Sequence, residues 1–264
     1  MKKVTSIIQA RMTSTRLPGK VLMSVMGKSL LEYMLERVRR AWCVESILVA
    51  TTNNATDDPL VKLAEQFGAQ VFRGSEFDVL DRYYRAASTA QAEHIMRLTA
   101  DCPLIDPEIL DQVAEFYFDG GYDYVSNALE PNLPDGLDAE VFSFSALQAA
   151  WAKAELPSHR EHVTPYIRKS GLYRLGSWKQ SRNFSDLRWT VDETEDFELV
   201  RSVLEALYPD NPCFGLDDVL KLLANHPEWT ELNSKFERNE GVRKSLDADS
   251  EYLARQNHAG SLAR

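Results

Sequence analysis

The chain has 264 residues, 44% of them hydrophobic, enough to bury a substantial core as one large domain or one domain with an appendage. Its 30 lysines and arginines stand against 40 aspartates and glutamates, a formal charge of -10, which argues against a broad DNA- or RNA-binding surface and requires any anion site to be locally basic. No apolar run approaches the roughly 18 to 20 residues a membrane span needs, Lys2 and Lys3 precede no apolar signal core, and the odd, dispersed Cys43, Cys102 and Cys213 suggest neither disulfides nor a zinc cluster; the expectation is a cytoplasmic protein with no membrane or nucleic-acid partner.

The first half alternates short β-branched runs with amphipathic stretches, which predicts parallel strands joined by right-handed helical crossovers. Val4 to Gln9 reads as the first strand. Ser29-Leu30-Leu31-Glu32 is a capping box opening a helix to about Ala41, because the serine side chain accepts from a free amide while the glutamate reaches back. Ser46 to Thr51 follows as a strand. Asp58, as N-cap candidate before Pro59, starts a helix ending near Gly68, and Gln70 to Arg73 is a short third strand. Asp78 to Ala90 reads as helix and His94 to Thr99 as a strand delivering Asp101 to its carboxyl end. Asp106, an N-cap ahead of Pro107, opens a helix to about Phe118, and Gly120-Gly121 breaks it before the apolar run Tyr122 to Ser126.

Beyond this point simple alternation ends. Pro131, Pro134 and Gly136 mark a loop; Ala139 to Phe142, Leu172 to Trp178 and Leu187 to Val191 read as strands, and Ala146 to Glu155 and Arg160 to Lys169 as helices. The expectation is an α/β, mixed but mostly parallel sheet with helices on both faces and an inserted lobe at about 131–180. Helices at Asp196 to Leu207 and Leu216 to Ala224 complete a domain of about 1–227. The charged residues 228–264 form a tail or helical arm.

The first strand runs into Ala10-Arg11-Met12-Thr13-Ser14-Thr15-Arg16-Leu17-Pro18-Gly19-Lys20, which carries three cations and three hydroxyls in an otherwise acidic chain. Ligands of doubly wound sheets settle beyond the carboxyl ends of strands, where a triphosphate needs amides and fixed positive charge. Arginine grips phosphate bidentately and lysine adds a point charge. The competing reading is a solvated loop turning at Pro18-Gly19. Gly27-Lys28-Ser29 copies the end of a P-loop, but Leu22 stands where the first glycine is required, so Ser29 is better explained as the helix cap.

Six blocks in order, RMTSTRLPGK from Arg11, DVLDRYYRAA from Asp78, RLTADCPLIDP from Arg97, PDGLDAEVFS from Pro134, HREHVTPYI from His159 and RWTVDETEDF from Arg188, resemble the cytidylyltransferase family that makes CMP-activated acidic sugars, and more narrowly its branch named for spore coat polysaccharide biosynthesis protein F. The resemblance covers roughly Val4 to Leu207. It implies a nucleotide-diphospho-sugar transferase fold, transfer of CMP from CTP to a sugar acid for surface polysaccharide or glycoconjugate synthesis, and a homodimer. It places Arg11, Arg16 and Lys20 at the triphosphate, with Ser14 assisting and Ala10 in the same loop.

Asp101 and Asp192 each follow a predicted strand, which brings both to one crevice as a carboxylate pair for Mg²⁺; the resemblance implies the same pair, acting with Arg11 and Lys20 in catalysis. Read alone, Asp101 suits a turn and Asp192 a cap for the helix near Glu195. Asp78 and Arg82 resemble a nucleotide-positioning segment, although the stripe Leu80, Tyr83, Tyr84, Ala87 also allows Arg82 to line an exposed face. Asp135, Asp138 and Glu140 with Arg160, His162 and Arg188 are the acceptor candidates, and a sugar carboxylate would seek Arg160, Arg168, Arg182 or Arg188. For His159 and His162 the competing reading is a solvated helical face. Asp247-Ala248-Asp249 mimics a glycosyltransferase metal motif but follows no strand. A glycosyltransferase of related fold and a catalytically inert nucleotide-binding protein are the alternatives.

Overall fold

The computed structural model describes residues 2–238 and 245–255, so the parts of the charged tail at 239–244 and 256–264 lie outside the described residues. β1 (Val4–Gln9) is buried almost throughout, as a strand flanked by neighbours and covered on both faces must be. A hairpin of β2 (Ser24–Val25) and β3 (Lys28–Ser29) leads into α1 (Leu30–Arg40), whose capping box forms as expected: Glu32 N donates to Ser29 Oγ at 3.2 Å and Ser29 N to Glu32 Oε2 at 2.7 Å. β4 (Val44–Thr52), α2 (Asp58–Gln66), β5 (Gln70–Gly74), α3 (Val79–Thr89), β6 (His94–Thr99) and α4 (Pro107–Gly120) continue the alternation. Then come β7 (Tyr124–Ser126), β8 (Glu140–Ser143), α5 (Phe144–Lys153), α6 (Pro157–His162), α7 (Pro165–Lys169), β9 (Leu175–Ser177), α8 (Thr194–Leu207), α9 (Leu216–Asn225), α10 (Pro227–Glu231) and α11 (245–255).

The described strands other than the hairpin form one seven-stranded sheet in the order β5-β4-β1-β6-β8-β7-β9. β5, β4, β1 and β6 are mutually parallel, β8 runs antiparallel to both β6 and β7, and β7 pairs parallel with β9. Strand alternation divides the core. Val4, Ile8, Met96 and Leu98 face α1, α4, α8 and α9, whereas Ile7 and Ile95 face α3, α5 and α7. The segment 131–180 supplies β8 and β9 to the sheet, with α5, α6 and α7 between them.

Several expected elements differ. Arg160 to Lys169 is two short helices, because Pro165 cannot continue an α-helical ladder and Val163 between them turns to a φ of 69°. Leu172 to Trp178 shrinks to β9. Leu187 to Val191 is not a strand of the sheet: Arg188 makes only an isolated bridge with Asp135, although the chain still runs extended past Asp101 through a Val191 N to Asp101 O bond of 2.8 Å. Asp58 lies inside α2 and the N-cap is Asp57, whose carboxylate is used elsewhere. In the charged C-terminal part, where a tail or helical arm is expected, the described residues include α10 and α11.

Candidate active site

The basic loop leaves β1 at the carboxyl end of the sheet and returns through Gly19, whose φ of 73° suits a residue without Cβ and sets the short 3-10 turn that begins at Lys20. The loop is tied down from below. Asp57, fully buried, accepts from Met12 N at 2.9 Å and from Thr51 Oγ1 at 2.8 Å, with Thr52 adding a backbone and a hydroxyl donor. Burial would raise the Asp57 pKa, but these donors outweigh it and hold the carboxylate below its ordinary range. At the loop's rim, Arg11 Nη1 lies 3.4 Å from Glu76, which also accepts from Thr13 and Asn54. Ser14 Oγ accepts from Leu17 N at 3.4 Å, within the loop, and Ala10 is buried under it.

Lys20 is 7% exposed, and its Nζ lies between two carboxylates, 2.9 Å from Asp101 Oδ2 and 2.7 Å from Asp192 Oδ1. The first comes from the end of β6; the second from the segment before α8. Burial opposes the charge on Lys20, yet the two aspartates overcome it and raise its pKa. Burial likewise works against Asp101, and Lys20 nevertheless holds it down to about 2. Asp192 does not cap α8; Glu193 does, in a capping box with Asp196, leaving Asp192 to the crevice. The Asp192 carboxylate also meets Arg16 at 2.9 Å and Arg188 at 3.2 Å, while Arg16 reaches Glu193 at 3.3 Å.

Arg188 is locked in place. Its Nε and Nη2 bind the two oxygens of fully buried Asp196 at 2.9 and 3.0 Å, and its Nη1 binds Asp135 at 3.1 Å. The segment carrying it is seated by close approach to Gly136, where an added Cβ would lie 2.6 Å from Thr190 N and from the Trp189 carbonyl carbon. Asp135 N donates to Leu187 O at 2.9 Å. Thus a glycine at a φ of 112° lets the two segments meet and sets Asp192 opposite Asp101.

The acceptor candidates separate into two groups. Asp138 and Asp135 are met by Arg238 from the tail, which bonds to Asp138 and to Leu133 O and stands 3.9 Å from Asp135. Glu140 instead pairs with Arg97 of β6 at 2.5 Å and accepts from Tyr124 Oη at 3.0 Å. His162 is not on a solvated face: its Nε2 lies 2.8 Å from Ser245 Oγ of α11. Asp249 of α11 takes the Ser158 N–H and hydroxyl, so the Asp-Ala-Asp sequence is a docking contact. Asp78 caps α3 and is gripped by Arg160 at 3.0 and 3.1 Å. Arg82 is buried rather than exposed and donates to Ser75 O. Sequence reasoning did not single out Asp57, Asp196, Arg97 as a site residue, or Arg238; apart from RLTADCP, which contains Arg97, and RWTVDETEDF, which contains Asp196, only the fold identifies their partners.

The arrangement can bind polyphosphate through Arg16 and Lys20 and hold a hard cation through Asp101 and Asp192. Among the described residues no three His, Cys, Asp or Glu side chains gather into a closed metal centre, and no helix is long and apolar enough to cross a membrane.

Comparison with known proteins identifies the family. The cytidylyltransferase family model matches residues 5–244. The spore coat polysaccharide biosynthesis protein SpsF of Bacillus subtilis is 35% identical over 236 residues, covering 86% of this chain and 97% of that protein. A 3-deoxy-manno-octulosonate cytidylyltransferase of Solibacter usitatus is 31% identical over 80% of this chain and 91% of its own length. A cytidylyltransferase structure from Leptospira borgpetersenii serovar Hardjo-bovis superposes with a TM-score of 0.83 at 33% identity, covering 90% of this chain and 100% of that one. With a match spanning nearly the whole sequence and the basic loop facing two aspartates across the sheet's carboxyl end, the chain belongs to the cytidylyltransferase family.

Proposed function

We propose that the chain transfers CMP from CTP to a hydroxyl of an acidic sugar with release of pyrophosphate, in the making of a surface polysaccharide or glycoconjugate. The observation that carries this reading is the Lys20 ammonium held between Asp101 and Asp192, two carboxylates from distant parts of the chain converging on one cation. All their donors are oxygen, which fits Mg²⁺ completed by phosphate and water. A magnesium ion bound there would offset charge on the phosphate oxygens as the acceptor approaches the α-phosphorus. Arg16 and Lys20 then bind the β- and γ-phosphates and stabilise the leaving pyrophosphate, Arg11 lies at the rim of the same loop, and Asp57 keeps the loop in position. Arg188 orients Asp192 rather than binding the sugar, because Asp196, Asp135 and Asp192 occupy its guanidinium. The acidic acceptor takes support from the relatives named for 3-deoxy-manno-octulosonate.

Pyrophosphate release tests the reading: the protein is incubated with Mg²⁺, each nucleoside triphosphate in turn and a panel of sugar acids. Release that requires both CTP and a sugar acid is expected, and Asp101→Asn should lower it by about a thousandfold, the loss of roughly 4 kcal/mol of transition-state stabilisation. Equal release with every triphosphate, or unchanged turnover in Asp101→Asn, refutes it.

A further inference from the structure

The four arginines open to a sugar carboxylate by sequence are sorted by their partners. Arg160 is taken by both oxygens of Asp78 and by Trp151 O, and Arg188 by three aspartates. Arg182 lies on an exposed loop. Arg168, half-buried on α7, differs: its Nε is buried with no hydrogen-bond partner, and its charge acts on Glu140, Tyr124 and His162.

A second arginine acts on the same Glu140. Arg97 of β6 donates to Glu140 and, at 3.0 Å, to Gln9 Oε1, yet its Nε is also buried without a partner. Thr164, 1% exposed, adds a hydroxyl that helps hold the Glu140 carboxylate below its ordinary range. The Glu140 oxygens accept from an Nη of Arg97 and from Tyr124, and neither reaches the Nε of Arg97 or of Arg168. Two guanidinium groups around one carboxylate leave an excess positive charge in a site largely shielded from water, which a second anion would neutralise. These groups lie near the reaction centre. Gln9 immediately precedes the basic loop, and Asp138 lies within electrostatic reach of both Glu140 and Asp101.

The geometry points to Arg168 and Arg97, flanking Glu140, as the subsite that receives the carboxylate of the acceptor. The assignment rests on the acidic-sugar reading above. Arg168 supplies the unpartnered Nε–H, Arg97 holds Glu140 in place and adds charge, and Glu140 is left to set the orientation of neighbouring hydroxyls.

The test compares the full-length protein with Arg168→Met and Arg168→Lys, using CTP, Mg²⁺ and a panel of sugar acids that includes 3-deoxy-manno-octulosonate, each acid paired with its carboxamide. Arg168→Met leaves the Arg97–Glu140 pair intact, so a melting curve close to that of the wild type is expected. It should raise KM for the acid at least tenfold with kcat and the KM for CTP little changed, and lose the preference for acid over carboxamide; Arg168→Lys should recover part of both. An unchanged acid KM in Arg168→Met, or equal use of carboxamide by the wild type, overturns the subsite and leaves CMP transfer standing. Release with neutral sugars alone refutes the acidic acceptor and the subsite together. Should no acceptor support release, the proposed function fails, and calorimetric titration of the same acids decides the subsite: binding weakened by Arg168→Met upholds it, whereas no binding or equal binding overturns it.

Discussion

Replacing Lys20 with methionine removes the cation between Asp101 and Asp192 while keeping the volume of the side chain. Asp101 is held down to about 2 from an ordinary 3.8, roughly two units at 1.36 kcal/mol each, and its side chain is 25% exposed, so the carboxylate contributes about 2 kcal/mol to stability at neutral pH. Most of this comes from Lys20, the strongest influence opposing burial. For a chain of this size 1 kcal/mol moves the melting temperature by about 2–4 °C, so Lys20→Met should melt roughly 4–8 °C lower at pH 7. The folded pKa of Asp101 lies below its unfolded value, so its contribution is complete above about pH 4 and is lost as the pH falls towards 2. The Lys20 pKa is raised, so its own contribution holds below 10.5 and is lost as the pH rises through the folded value. The gap between wild type and variant should therefore be level from pH 5 to 9 and close at both extremes. Calorimetric melts extended below pH 4 and above pH 10.5 check it, and added Mg²⁺ should restore the variant more than the wild type. A variant melting within 1 °C of the wild type at pH 7 would show that the two carboxylates do not depend on Lys20.

Arg188→Met strands the fully buried Asp196 without its bidentate partner, an imbalance of about 3–5 kcal/mol; urea unfolding that loses under 1 kcal/mol would mean that the amides of Asp192 and Glu193 and the amide group of Asn233 suffice. Gly136→Ala forces a Cβ against the Thr190 amide at a φ of 112°, and is expected to cost at least 1–3 kcal/mol and to depress turnover by shifting Asp192; wild-type activity and melting would contradict the close approach. Burial and Asp138 push Asp135 up to about 6 against Arg238 and Arg188, so its ionisation reduces stability by roughly 3 kcal/mol as the pH rises from about 4 to 6. Asp135→Asn should flatten that part of the curve in urea melts at pH 4.5 and 7.5, and an unaltered difference between the two would count against it.

Much of the fold was legible because its signals are local. The capping box at Ser29, the N-cap at Asp106 and the strand-to-loop transition at Gln9 and Ala10 depend on neighbours within a few residues, and each appears where the pattern put it. The segment around Asp192 shows the limit. Its β-branched and aromatic residues suggest a strand, but its position is fixed by Gly136, Asp135 and Asp101, all more than fifty residues away, so only one bridge forms. Asp57 and Asp196 were missed for a related reason. A carboxylate at a helix start reads as a cap, and nothing local says that Asp57 instead fastens Met12 or that Asp196 receives Arg188 as well as capping α8. Arg238 lies in a stretch without periodicity and meets Asp138 a hundred residues earlier, a partnership no spacing rule exposes.

If the proposed function is right, Asp101 and Asp192 would release the Lys20 ammonium and take a divalent cation when nucleotide binds. A crystal grown with CTP and Mn²⁺ tests it directly through the anomalous signal of the metal. The peak should lie between the two carboxylates with the Lys20 Nζ moved onto phosphate; a peak elsewhere, or Lys20 still bridging the aspartates beneath bound CTP, would contradict it.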